Sequence, residues 1–64
     1  MIRPVDASGN DTVQVGPHRE VRFRCPEPLP ASGDEIRLRL SGCYTVDVLV
    51  RNVAESGWVL AERM

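Results

Sequence analysis

The stretch Glu35-Ile36-Arg37-Leu38-Arg39-Leu40, followed after Ser41-Gly42-Cys43 by Tyr44-Thr45-Val46-Asp47-Val48-Leu49-Val50-Arg51, alternates apolar and polar side chains almost without a break. Alternation sends successive side chains to opposite faces of an extended chain, whereas an amphipathic helix repeats roughly every 3.6 residues. Two strands are therefore predicted, with Ile36, Leu38 and Leu40 facing inward on one and Tyr44, Val46, Val48 and Val50 on the other. Toward the N-terminus, Thr12-Val13-Gln14-Val15 and Glu20-Val21-Arg22-Phe23-Arg24-Cys25 repeat the pattern, and Gly16-Pro17-His18-Arg19 between them has turn chemistry. Toward the C-terminus, Asn52-Val53-Ala54-Glu55-Ser56-Gly57 breaks the alternation, and Trp58-Val59-Leu60-Ala61-Glu62 reads as a last strand that is apolar on both faces.

Five strands and no helix predict an all-β fold, a small antiparallel β-sandwich or barrel. Its inward set is Val13, Val15, Val21, Phe23, Ile36, Leu38, Leu40, Tyr44, Val46, Val48, Val50, Trp58 and Leu60. Residues 1–11 read as an N-terminal arm and 12–64 as one domain. Within that domain, 26–34 form a Pro-rich loop, since Pro26, Pro28 and Pro30 remove backbone donors and exclude a central strand or a helix. That loop reads as a stiff connector that loses little entropy on folding.

A chain of 64 residues buries only about 60% of the surface it exposes when unfolded, so its core is marginal and disulfide, metal or association is the usual supplement. The start Met1-Ile2-Arg3-Pro4-Val5-Asp6 lacks the apolar region of a secretory signal. Cys25 and Cys43 are therefore expected as free thiols of a cytosolic product. One histidine and two cysteines with 17 residues between them do not make a zinc knuckle. Asp6-Ala7-Ser8-Gly9-Asn10-Asp11 lacks the acidic spacing of a calcium loop and reads as a turn. No metal or other cofactor is expected, and no run approaches the roughly 18 apolar residues of a membrane span.

Eight arginines, no lysine and nine acidic residues give a net charge of −1, which makes nucleic acid an unfavoured partner for bulk electrostatics. His18 is the only neutral-pH base available to Ser8, Ser32, Ser41, Ser56, Cys25 or Cys43, and none of these has the flanks of a nucleophile. Asp34 and Glu35 are adjacent and so point to opposite sides of a strand. No catalytic residue is assigned.

Two surfaces remain. Arg22, Arg24, Arg37, Arg39 and Arg51 are out of phase with the apolar set, forming a charged face. It is either a binding patch for phosphate or carboxylate groups or a solvated surface in which Glu20 and Asp47 pair with the arginines. Leu49, Val59 and Ala61 fall opposite the inward set. They are either an exposed interface or the cover of a second small core under the Pro-rich loop.

Ile36-Arg37-Leu38-Arg39-Leu40, Ser41-Gly42, Val46-Asp47-Val48-Leu49-Val50-Arg51, and Glu55-Ser56-Gly57 with Trp58 together resemble a small all-β module of bacteriophage virion proteins, over about residues 35–64. The resemblance implies a structural role without catalysis, such as capsid decoration or a tail accessory. Its implied partner is a major capsid or other virion protein, or further copies of the chain, and its implied location is the virion, after synthesis in the host cytoplasm. A small regulatory or inhibitory binder using the arginine face is the alternative.

Overall fold

The computed structural model describes residues 2–7, 13–41 and 44–64. The turn expected at Asp6–Asp11 and the Ser41-Gly42-Cys43 junction fall wholly or partly outside those residues. Among the described residues six strands form one sheet: β1 Ile2–Asp6, β2 Gln14–Val15, β3 Glu20–Arg24, β4 Glu35–Ser41, β5 Tyr44–Val53 and β6 Trp58–Arg63. Their order across the sheet is β1-β4-β5-β6-β3-β2. The described residues contain no helix, as the alternation predicts.

One face of this sheet carries the core: Val5, Val21, Phe23, Ile36, Leu38, Val48, Val50, Val59 and Ala61, each at most 5% exposed, with Ala7 and Cys25 alongside. No second layer covers that face among the described residues, so the sheet coils around its own core as a partly open barrel. Its near-equal dimensions of 27 × 26 × 24 Å agree with that shape. Burying a side chain such as Phe23 or Leu38 completely contributes about 1.5 to 3 kcal/mol.

The first departure from expectation is the N-terminal arm. Ile2–Asp6 is a strand, parallel to β4, with Val5 opposite Leu38, so the sheet is mixed rather than antiparallel. Pro4 hides this strand in the sequence. A proline has no N–H to give, which an edge strand tolerates and a central one does not.

The second departure is the phase of the last strand. In an antiparallel pair, residues directly opposite share a face. Phe23 lies opposite Val59 and Val21 opposite Ala61, all four inward, whereas Arg24 lies opposite Trp58 and Arg22 opposite Leu60, all four outward. Val59 and Ala61, expected on the outer face, are each 1% exposed and belong to the core. Trp58 and Leu60, expected inside, are half-buried on the outside. Both phases of β6 are apolar, so alternation could not separate them. Volume does, because the coil already encloses Phe23, and small residues fit across from Val21 and Phe23.

A third departure lies in two register shifts. Between Val50 and Asn52 the β5–β6 pairing slips by one residue, so that Val50 faces Ala61 but Val53 faces Val59. The bulge at Arg51 moves the inward phase of β5 from even to odd positions. A similar shift separates Arg39 from Ser41, and Tyr44 beyond it is 61% exposed rather than inward. Val15, also expected inside, is 70% exposed on the two-residue edge strand β2.

The Pro-rich loop is tied to β1 and β5 by hydrogen bonds. Arg3 donates from Nη1 to the carbonyl of Pro28 at 2.5 Å and from Nη2 to that of Pro26 at 3.2 Å. Further along, Gly33 N donates to Val50 O at 2.8 Å and the Ser32 hydroxyl to Arg51 O at 2.9 Å. The Glu27-Pro28 bond is cis.

Candidate functional site

The five arginines of the predicted charged face are all exposed on the outer surface. They do not gather in one patch: Arg22 and Arg24 sit on β3, and Arg37 and Arg39 on β4, with β5 and β6 between those strands. Acidic neighbours occupy most of them. Arg37 reaches across to Asp47 with Nε to Oδ1 at 2.8 Å and Nη2 to Oδ2 at 3.3 Å. Arg51 holds Glu62 Oε2 at 2.8 Å, Arg22 holds Glu20 Oε1 at 3.1 Å, and Arg39 lies 3.8 Å from Asp6. Arg24 instead donates to the carbonyl of Ser56 at 3.5 Å. Glu20 and Asp47, the two acids whose phase matches the ladder, are thus partners of Arg22 and Arg37.

The Arg37–Asp47 fork is geometrically the best of these pairs, and it holds the Asp47 carboxyl below its ordinary range, chiefly through the hydrogen bond from Arg37, with desolvation opposing. Exposed pairs of this kind contribute little to stability each. Their effect is to divide the outer surface into alternating charges.

The outward turn of β6 creates a surface that period two did not reveal. Trp58 and Leu60 stand across from Arg24 and Arg22, and together with Gln14, Asn52 and Ala54 they line an open groove of about 340 Å³. Leu49, the remaining member of the predicted interface, is half-buried on the outer side of β5, opposite Glu35 on one neighbour and Glu62 on the other. Of the three predicted interface residues it alone reaches the outer surface, and it is flanked by carboxylates. The signal that could have found Trp58 and Leu60 is the pairing of β6 with β3, whose own phase is unambiguous.

Cys25 is a buried free thiol whose proton is held above the ordinary range by desolvation, partly offset by Arg3. A desolvated thiol of this kind is a poor nucleophile. Cys43 and Ser8 lie outside the described residues, as does the side chain of Ser41. His18 is exposed in the β2–β3 turn. Among the described residues, no three His, Cys, Asp or Glu side chains are grouped to hold a metal ion, and no helix is long and apolar enough to cross a membrane.

A second, larger cleft of about 760 Å³ opens where the C-terminal end of β6 meets the β2–β3 turn, the middle of β4 and the start of β5, with Arg19, Arg37, Asp47 and Arg63 on its walls. No protein-family model, curated protein or solved structure matches the chain.

Proposed function

We propose that the chain is a non-enzymatic assembly subunit that associates with further copies of itself through the Trp58–Leu60 groove and, in that form, decorates a larger shell. The capsid-accessory role is the one its C-terminal half implies by resemblance. One observation carries the assembly reading: the only tryptophan of the chain lies outside a core that is complete without it. A large aromatic side chain in a groove beside an arginine is the kind of group that anchors protein interfaces.

The charges around the groove support a second copy as the occupant. Arg22, Arg24 and Arg51 alternate with Glu20 and Glu62 over the outer faces of β3, β6 and β5. A surface carrying both signs can complement itself under a two-fold axis, where each positive group meets its negative counterpart on the other copy. The small core supplies the driving force, since burying Trp58 and Leu60 adds apolar area that a 64-residue domain lacks. Light scattering across a concentration series, on the parent chain and on Trp58→Ala and Leu60→Ala, tests the reading. Association of the parent and its loss in both variants is the expected result.

One observation favours the regulatory binder as a second reading. The structure puts Trp58 directly opposite Arg24, and an aromatic platform beside arginines is how single strands are commonly held. Quenching of Trp58 emission by a short oligonucleotide, abolished by moderate salt and by Arg22→Ala with Arg24→Ala, is its signature. The absence of quenching at low salt rejects it.

A further inference from the structure

We infer that the cleft walled by Arg19, Arg37 and Arg63 is a binding site for a phosphoryl group. The three arginines come from separate elements: Arg19 from the β2–β3 turn, Arg37 from β4 and Arg63 from the end of β6. Backbone pairing fixes their approach, because Arg63 N donates to Arg19 O at 3.0 Å and Met64 N donates to Asp47 O at 3.1 Å, tying the turn and the β6 terminus to β5. Asp47 is the acidic side chain on the cleft wall, and both its oxygens are taken by Arg37. The guanidinium groups of Arg19 and Arg63 have no side-chain hydrogen bond or ion pair among the described residues. They differ in this from Arg22, Arg37, Arg39 and Arg51 on the outer surface.

Two guanidinium groups without an ion pair, beside a third fixed in a fork, outnumber the Asp47 carboxylate and the Met64 terminus on the same wall, and forks of this kind match a phosphate oxyanion bidentately. The cleft, at about 760 Å³, is larger than a bare phosphate needs. It therefore suits a phosphate that carries a further group, with the Asp47 and Thr45 edge of the cleft left to meet the uncharged part. Arg19 has φ 65°, a backbone conformation that glycine or asparagine adopts far more readily. An arginine kept there, with its side chain on the cleft wall, is the pattern expected where the side chain has a use that offsets backbone strain.

The test is titration of the full chain with inorganic phosphate and pyrophosphate at low salt, following the arginine Nε–H signals by NMR. Saturable shifts at Arg19, Arg37 and Arg63 are expected, stronger with pyrophosphate. Arg19→Gly, which relieves the turn, and Arg63→Gln are each expected to weaken binding about tenfold or more, the loss of one charge-assisted contact. Arg39→Gln removes the same charge outside the cleft and is expected to change affinity less than about twofold. Shifts that rise without saturating, or an Arg39→Gln loss as large as that of Arg19→Gly, overturn the site. A mononucleotide and a short single-stranded oligonucleotide distinguish the source. Equal affinity assigns a free phosphorylated ligand, tighter oligonucleotide binding with a steeper salt slope assigns a phosphate backbone, and failure of both to displace pyrophosphate overturns the inference that the bound phosphate carries a further group.

Discussion

Arg24 and Trp58 stand directly opposite one another across the β3–β6 ladder, and both side chains lie on the outside of the barrel. The inner counterpart of this pair is Phe23 opposite Val59, where both side chains are at most 1% exposed. Which of two apolar sets faces inward is thus decided by the partner strand, and that choice separates the core from the surface available for docking.

Emptying the inner position is expected to remove much of the chain's stability. Phe23→Ala removes a fully buried ring, at a cost of about 3 to 5 kcal/mol. A chain of this length has roughly 3 to 10 kcal/mol of stability in total. Trp58→Ala, by contrast, is expected to cost about 1 to 2 kcal/mol, because only part of the indole leaves an apolar setting. Urea denaturation followed by circular dichroism measures both. Equal losses at the two positions would contradict the outward placement of Trp58.

Relief of the β2–β3 turn is expected to stabilise the fold. His18 and Arg19 have φ values of 56° and 65°, the pair of positive angles that a type I′ turn requires and that side chains with a Cβ resist by about 1 kcal/mol or more each. Arg19→Gly is therefore expected to raise the melting temperature by about 4 to 8 °C. A lowered melting temperature would mean that the Arg19 side chain contributes more to stability than its backbone costs.

The Arg3 clamp is expected to act locally. Its two hydrogen bonds to the carbonyls of Pro26 and Pro28 tie β1 to the Pro-rich loop. Arg3→Ala is expected to cost about 1 to 2 kcal/mol, the worth of such charge-assisted bonds near solvent. Faster amide exchange at Gly33 and faster alkylation of Cys25, with exchange at Ile36 and Val48 unchanged, would report a loosened loop over an intact core. Uniform acceleration across all of these amides would instead make the clamp a global support.

Stability is expected to fall at both ends of the pH scale for separate reasons. Asp47 ionises more readily in the folded state than unfolded because Arg37 bonds the carboxylate. Its contribution is present above the ordinary aspartate pKa and is lost as the pH falls through the lowered folded value. Cys25 resists ionisation because it is desolvated. That contribution is complete below the ordinary thiol pKa and is lost as the pH rises through the raised folded value. Asp47→Asn should flatten the acid limb only, and Cys25→Ala the alkaline limb only. Thermal melts from pH 2 to 11 check each.

The all-β class and the inner sets of β3, β4 and most of β5 were legible in the sequence, since strict alternation at Val21 and Phe23, Ile36 and Leu38, and Val48 and Val50 leaves one choice of face. Three features were not. Pro4 removes the donor that marks a strand, the bulge at Arg51 reverses phase without any glycine to announce it, and β6 has apolar residues on both sides. The charged surface was legible in its membership but not in its distribution. Alternation places a residue inside or outside and says nothing about where around the coiled sheet it stands. Arg19 and Arg63 were missed for a related reason, as each lies at the end of an element and only the fold brings them to one cleft.

The most direct test of assembly through the outer face of β6 is the solution mass of the purified, reduced chain by light scattering over a wide concentration range, with the single tryptophan as an internal reporter. Self-association through the groove predicts a mass above that of the 7.1 kDa monomer at high concentration and a blue shift of Trp58 emission over the same range, both lost in Leu60→Ala. A folded monomer at every concentration, with Trp58 emission unchanged, would contradict it.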